Sequence, residues 1–225
     1  MRKVVIGLFS TGLLLTSAPP AHATVIWGTD DADRLVGTAS EDVIRSRGGD
    51  DIIHGLPGFD RLYGGAGDDR LAGGGERDVA LGSTGMDRLR GGGGGDYLDG
   101  GIGPDLARGG HGDDQIAGGP DDDRLYGGPG ADSLTDHIIT DLDTSPGDDL
   151  LVGGADDDFF GVTGGSDVVR GGRGDDTVKT VNDGVADVIT LGSGSDVVRY
   201  YGPDGRDLLD VLVGVERVVV ETGAD

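Results

Sequence analysis

The sequence is poor in residues that commonly stabilise a small domain. It has no Cys, 8 Pro, one Trp, five Tyr and four Phe among 225 residues. Without Cys it can form neither a disulfide bond nor a thiolate metal site. Collagen is excluded as well, because its triple helix needs Gly at every third position together with abundant Pro.

Basic residues are also scarce, since 18 Lys and Arg stand against 42 Asp and Glu. The resulting net charge of −24 argues against nucleic acid as a partner, because binding to phosphates depends on Lys and Arg. The 48 Gly residues add no side chains to a core and lose much entropy on folding. This composition is typical of disorder, so either the chain stays unfolded or something outside it supplies stability.

Residues 1–23 have the pattern of a secretory signal peptide. Two basic residues precede an apolar run from Val4 to Leu15, which is shorter than the roughly 20 residues that a spanning helix needs. The tripeptide Ala-His-Ala that ends at Ala23 is a small-x-small cleavage site. We therefore expect cleavage after Ala23 and a secreted, extracellular chain with 16 basic and 42 acidic residues, a charge of −26.

A nine-residue repeat occupies most of the remaining sequence. From Gly64 the chain reads GGAGDDRLA, GGGERDVAL, GSTGMDRLR, GGGGGDYLD and GGIGPDLAR, with Asp always sixth and an apolar residue always eighth. The sixth positions are Asp33, Asp42, Asp51, Asp60, Asp69, Asp78, Asp87, Asp96, Asp105, Asp114, Asp123 and Asp132. After an eight-residue insertion they continue as Asp149, Asp158, Asp167 and Asp176, and then, with two-residue slips, as Asp187, Asp196 and Asp207.

The pattern G-G-x-G-x-D-x-U-x, in which U is apolar, resembles the RTX (repeats-in-toxin, hemolysin-type) calcium-binding repeat. The repeats that begin at Gly64, Gly91, Gly100, Gly109, Gly127 and Gly171 match all five defined positions, and the resemblance covers roughly residues 28–210. It implies an all-β fold, a parallel β-roll or β-helix solenoid. Each repeat would be a six-residue turn and a three-residue strand, two repeats would form one coil, and Ca²⁺ would bind in the turns.

Alternation along each strand places position 8 inside the roll and positions 7 and 9 outside. Because a single repeat cannot bury its apolar residue alone, the coils must form together. Residues 18 apart should then stack into two facing rows. We predict one row of Leu35, Ile53, Leu71, Leu89, Ala107 and Leu125, and another of Ile44, Leu62, Ala80, Leu98, Ile116 and Leu134.

The same stacking places the position-6 Asp residues in two columns of like charge, with neighbours about 4.8 Å apart. Calcium bound by carboxylates and turn carbonyls would turn this repulsion into a cross-link, whereas Mg²⁺ keeps its waters and Zn²⁺ prefers His or Cys. Asp could instead serve only as a turn former, but turn chemistry would also accept Asn or Ser. The predicted calcium ligands are Asp60, Asp69, Asp78, Asp87, Asp96, Asp105, Asp114, Asp123, Asp132, Asp149, Asp158, Asp167 and Asp176.

The repeats are not uniform along the chain. We divide the mature chain into a regular block (24–135), an insert (136–143), a less regular block (144–210) and a C-terminal capping strand (211–225). The first three repeats lack the Gly pair and are expected to cap the roll. The insert is expected to interrupt the ladder and to bulge out of the roll as a loop. Glu76 and Val185 replace Gly at position 4, which predicts distorted or absent calcium sites there.

Arginine is unevenly distributed between the two sets of alternate strands. One set has Arg34, Arg70, Arg88, Arg90, Arg108 and Arg124 at outward positions, and in the same region the other has only Arg45 and Arg61. These arginines could form a docking surface for an anionic cell-envelope polymer. Alternatively, they could balance the edge carboxylates and keep the sheet soluble.

The sequence contains none of the H-E-x-x-H, G-x-S-x-G or P-loop motifs. We therefore predict a secreted calcium-binding protein, not an enzyme, whose roll folds when it binds several Ca²⁺ ions. The alternative is a structural or adhesive extracellular protein that calcium holds together and that binds an anionic polymer.

Overall fold

The structure, a computed structural model, describes residues 23–136, 147–181, 185–201 and 210–221. These residues form strands and turns, without any helix. The described chain therefore contains no helix that could cross a membrane. The strands lie in two parallel sheets of eleven and ten strands, which confirms the predicted all-β solenoid.

Odd-numbered strands form the eleven-stranded sheet, and even-numbered strands form the ten-stranded sheet. The strands of the eleven-stranded sheet are β1 (Val25–Trp27), β3 (Val43–Gly48), β5 (Arg61–Ala66), β7 (Val79–Thr84), β9 (Tyr97–Ile102), β11 (Gln115–Ala117), β13 (Ser133–Thr135), β15 (Phe159–Val162), β17 (Thr177–Val181), β19 (Val197–Tyr201) and β21 (Arg217–Glu221). Those of the ten-stranded sheet are β2 (Arg34–Val36), β4 (Ile52–Pro57), β6 (Arg70–Gly75), β8 (Arg88–Gly93), β10 (Leu106–His111), β12 (Arg124–Pro129), β14 (Leu150–Ala155), β16 (Val168–Arg173), β18 (Val188–Ser193) and β20 (Val211–Val213).

The core lies between the two sheets and consists of the two predicted rows. All twelve of these side chains are at most 4% exposed, so both rows are confirmed. Ile26 extends the core by one strand before the first predicted repeat, and Leu151, Phe160, Val169 and Val178 continue it in the second block. The apolar contacts therefore run along the whole described roll, as expected for an array whose repeats are stable only together.

Strand pairing extends further into each repeat than the resemblance implied. Gly92 pairs with Gly110, and Gly93 pairs with His111, so β8 and β10 remain paired beyond their outward Arg residues. Most strands consequently have six residues and the connecting turns three, and the prediction of a six-residue turn is wrong. The Gly at position 2 bends the chain with a positive φ, 125° at Gly92, while the ladder continues and keeps the backbone groups paired.

The insert leaves the ladder intact, contrary to expectation. Leu125 pairs with Leu151 and Leu134 pairs with Phe160, both across an offset of 26 residues in place of 18. Asp136, the first residue of the predicted loop, is buried in the roll and accepts a hydrogen bond from the Thr163 backbone N–H. The rest of the predicted loop lies outside the described residues, as does the signal segment up to residue 22.

The C-terminal segment forms two strands and not the single strand that was predicted. β20 and β21 lie in different sheets, and Gly214, with a φ of 68°, lies between them. Asp210 takes position 6 of this coil, because its Oδ1 accepts the Asp187 N–H at 3.0 Å. Position 6 of the last coil is therefore three residues later than expected, and the predicted Asp207 itself lies outside the described residues. Leu212 and Val215 pack against the end of the core.

Substitution of Gly92 by Ala should destabilise the roll, whereas the same change at Gly93 should not. A Cβ at Gly92 would collide with the Gly74 carbonyl oxygen and hold Ala at a φ of 125°, but a Cβ at Gly93 would meet nothing within 4 Å. We expect Gly92→Ala to lower the free energy of unfolding by about 1–3 kcal/mol and Gly93→Ala to change it by less than about 0.5 kcal/mol. Denaturant unfolding in saturating calcium measures both, and equal values would contradict the assigned turn geometry.

Candidate metal centres

All thirteen predicted calcium ligands lie in two columns of buried Asp side chains, one along each edge of the roll. In each column one carboxylate oxygen accepts the backbone N–H of the Asp in the preceding coil. The Asp78 N–H donates to Asp96 Oδ1 at 2.7 Å, and the Asp96 N–H donates to Asp114 Oδ1 at 2.7 Å. The chain of bonds crosses the insert, where the Asp123 N–H donates to Asp149 Oδ1 at 2.6 Å.

In twelve of the thirteen residues the second carboxylate oxygen is fully buried and has no hydrogen-bond partner among the described residues. Asp51 and Asp196, which were not among the predicted ligands, have the same buried and unpartnered Oδ2. Both residues occupy position 6 of their repeats, as the predicted ligands do, although those repeats are irregular. Their position in the repeat alone would therefore have identified them. Buried polar atoms normally have partners, so a column of atoms without them is a candidate site for a ligand.

The unpartnered oxygens face a space that Gly at position 1 leaves open. A Cβ added to Gly82 would collide with Asp87 Oδ2 and with the carbonyl oxygen of Gly100 in the next coil. A carboxylate oxygen and a carbonyl oxygen from adjacent coils therefore point into the same space. The same arrangement occurs at Gly64, where Asp69 Oδ2 and the Gly82 carbonyl oxygen lie in the way of a Cβ.

This donor set fits calcium better than the other common metals. Nowhere in the described ranges do three acidic or His side chains converge on one point, so a bound ion would take most of its ligands from main-chain carbonyls. Calcium accepts six to eight oxygen ligands that include backbone carbonyls and has a flexible geometry. Zinc sites depend on Cys and His side chains, which these turns lack.

Burial makes the ionised columns unfavourable unless a cation is present. It raises the pKa of Asp69, Asp78 and Asp96 to about 7 and that of Asp123 and Asp167 to about 9. Neighbouring carboxylates, such as Asp149 beside Asp123, raise these pKa values further. Desolvation and like-charge repulsion thus act in the same direction, and a divalent cation would relieve both.

In the turns at the two ends of the roll, the second carboxylate oxygen of Asp accepts hydrogen bonds from protein groups instead. Asp33 Oδ2 accepts the Thr29 N–H at 2.6 Å and its hydroxyl at 3.0 Å, and Asp42 Oδ2 accepts the Thr38 N–H. At the other end, the Tyr200 hydroxyl donates to Asp210 Oδ2 at 2.7 Å. The first two repeats therefore close without a cation, and the third has Ser46 beside Asp51 in place of the Gly at position 1.

Comparison with known proteins identifies the same region. The family model for the RTX calcium-binding nonapeptide repeat (4 copies) matches residues 27–62, 47–80, 73–107, 102–134 and 143–178. A search of curated proteins returned no match. The family matches cover more than half of the sequence and include most of the coils in which Asp Oδ2 is unpartnered. The chain therefore belongs to the RTX calcium-binding nonapeptide repeat family.

Proposed function

We propose that this protein binds several Ca²⁺ ions between its stacked turns and that binding drives the folding of the roll. The observation that supports this proposal is the pair of columns of buried Asp residues with unpartnered Oδ2 atoms. The position-6 Asp residues would supply Oδ2, and the turn carbonyls would supply the remaining ligands. Calcium would neutralise carboxylates that are otherwise both desolvated and mutually repulsive.

Folding and calcium binding are coupled in this proposal because the donors of each site come from different coils. Asp87 Oδ2 and the Gly100 carbonyl oxygen face one space only when the coils are stacked. An unfolded chain would offer separate carboxylates of low affinity. A ligand that binds only the folded state stabilises it by mass action, and with many sites these contributions add along the roll.

The proposed site of action is outside the cell. The N-terminal pattern supports export with cleavage after Ala23, and a mature charge of −26 favours an unfolded chain where calcium is scarce. Extracellular calcium-binding modules work with dissociation constants of about 10⁻⁴–10⁻³ M, so folding would follow export. We propose a binding role and not a catalytic one, because the repeats account for most of the chain.

A second candidate function is attachment to an anionic polymer. The structure confirms that Arg34, Arg70, Arg88, Arg90, Arg108 and Arg124 all lie on the ten-stranded sheet. In the second block basic residues lie on both sheets, for example Arg170 on β16 and Lys179 on β17. The positive charge on one face is therefore concentrated in the regular block, where it could contact a polyanion while calcium holds the coils together.

At neutral pH the mature chain should fold only when calcium is added. In excess chelator, folding would desolvate the interior Asp columns without a counterion. We therefore expect the spectrum of a largely disordered chain. A calcium titration followed by circular dichroism should convert it to a β spectrum, and equimolar magnesium should not. A full β spectrum in chelator at neutral pH would contradict coupled folding.

Substitution of Asp96 by Asn should weaken two neighbouring sites, those shared with Asp78 and Asp114. Asn retains an oxygen that can accept the Asp78 N–H but lacks the negative charge of the Oδ2 position. Asp30→Asn is the matched control, because it removes one charge at an exposed position. Isothermal titration calorimetry should show a lower calcium stoichiometry or affinity for Asp96→Asn alone, and unchanged binding would contradict the assigned ligand position.

Acidification should reduce the need for calcium. The pKa of Asp78 rises from an ordinary 3.8 to about 7 in the folded roll, so the folded state binds more protons than the unfolded one. The associated stabilisation is complete below about pH 4 and is lost as the pH rises through about 7. In chelator, circular dichroism should therefore show more β structure near pH 5 than near pH 8, with sedimentation to exclude aggregates. Calcium affinity should change in the opposite direction, because protons compete for the same oxygens.

A further inference from the structure

The outward face of the ten-stranded sheet differs in charge from the rest of the molecule. Among its described strands, positions 7 and 9 include no Asp or Glu, although the chain carries a charge of −24. Its centre is an arginine stripe, which we define as five exposed side chains on β6, β8, β10 and β12: Arg70, Arg88, Arg90, Arg108 and Arg124.

The arginines of the stripe lie beside one another in the strand register. Arg70 pairs with Arg88, and Arg90 pairs with Arg108, so like charges are opposite each other on strands about 4.8 Å apart. Like charges in such pairs destabilise a sheet. An anion that contacts both members of such a pair would remove this cost.

The described protein does not supply such an anion. No residue of the stripe forms an ion pair within the part of the chain that the structure describes, and only Arg108 has an aromatic neighbour, Tyr126, at 5.2 Å. On the opposite sheet, by contrast, Arg61 forms an ion pair with Glu41 at 3.0 Å. The structure thus gives no support to the interpretation that these arginines balance the edge carboxylates.

The shape of the stripe limits the kind of anion that it can accept. Its two columns are two residues apart along each strand, about 6.6 Å, and exposed acids border it on both sides. Asp68 and Asp122 lie in the turns at one edge, and Glu76 and Asp113 lie in the turns at the other. A nucleic-acid duplex or a membrane surface is wider than the stripe and would meet these carboxylates.

A single extended chain of anionic groups fits between the acidic edges. Proteins that bind single-stranded nucleic acid combine basic grooves with several aromatic stacking platforms, but Tyr126 is the one aromatic side chain at the outward positions of β6, β8, β10 and β12. Arginine is well suited to carboxylate and sulfate groups because its planar fork can donate two parallel hydrogen bonds. An acidic polysaccharide has such groups at regular intervals along a chain of this width.

We propose that the arginine stripe binds a single chain of an acidic polysaccharide, aligned with the axis of the roll and contacting successive strands. This inference rests on the proposed function, because the five arginines form a stripe only when the coils are stacked.

The test compares three proteins in saturating calcium: the wild type, a stripe variant and a charge-matched control. The stripe variant changes Arg70, Arg88, Arg90, Arg108 and Arg124 to Gln. The control changes five basic residues elsewhere to Gln, namely Arg45, Arg61, Arg77, Lys179 and Arg217, so both variants lose the same charge. Binding to a polyuronate, a sulfated glucan and neutral dextran is measured by biolayer interferometry at several salt concentrations.

We expect the wild type and the control to bind at least one of the acidic polysaccharides, more weakly as salt increases, and neutral dextran not to bind. The stripe variant should bind at least tenfold more weakly. Equal binding by the stripe variant would overturn the proposal and would indicate calcium bridges between the polysaccharide and the acidic edges. Equally strong wild-type binding to a single-stranded oligonucleotide or to anionic vesicles would overturn the assignment to polysaccharides.

Circular dichroism with and without calcium on each protein separates the two proposals. If calcium induces the β spectrum but no acidic polysaccharide binds, the stripe proposal alone is wrong. If calcium has no effect on the spectrum, the proposed function fails first. A stripe variant that retains the calcium response but loses polysaccharide binding supports both.

Discussion

The burial of one carboxylate in every nine residues is the constraint on which the rest of the roll depends. One oxygen of each interior Asp connects its coil to the preceding one by accepting a backbone N–H, and the other points into a space without a protein donor. Gly at position 1 leaves that space open. The apolar rows are only one residue per repeat wide, so they cannot offset the desolvation of two columns of ionised Asp. We therefore propose that a counterion between the coils stabilises the fold at neutral pH.

The ends of the roll show how the same turn is closed without a counterion. Thr29 and Tyr200 donate hydroxyl hydrogens to Asp33 and Asp210, where an interior turn leaves Oδ2 unpartnered. A hydroxyl donor costs little desolvation and brings no charge. A cation, by contrast, provides several coordination bonds and cancels repulsion from the coils above and below. Interior turns have a neighbour on both sides, whereas an end turn has only one, so neutral donors are sufficient there.

Much of the fold could be predicted from the sequence because two periodicities agree. The spacing of nine places Leu98 and Ala107 in opposite rows, and strand alternation makes both point inward, as they do. The same reasoning failed at Asp210, because the final coil has no Gly pair to define its frame. The family resemblance implied strands that were too short, since pairing beyond position 9 depends on backbone angles at Gly that the repeat pattern does not encode. The absence of ion-pair partners for Arg70 and Arg88 among the described residues could not be predicted, because it depends on where the flanking acidic side chains point.

The 26-residue offset between Leu125 and Leu151 shows that strand register depends on the pairing of successive coils and not on the number of residues between them. Each strand depends on the register of its two neighbours, and extra chain between coils leaves that register unchanged. New sequence can therefore be added at a turn without altering the core or the Asp columns. For evolution, and equally for protein engineering, the junction between residues 136 and 147 is a point at which a foreign peptide or a whole domain could be displayed on a calcium-binding repeat scaffold.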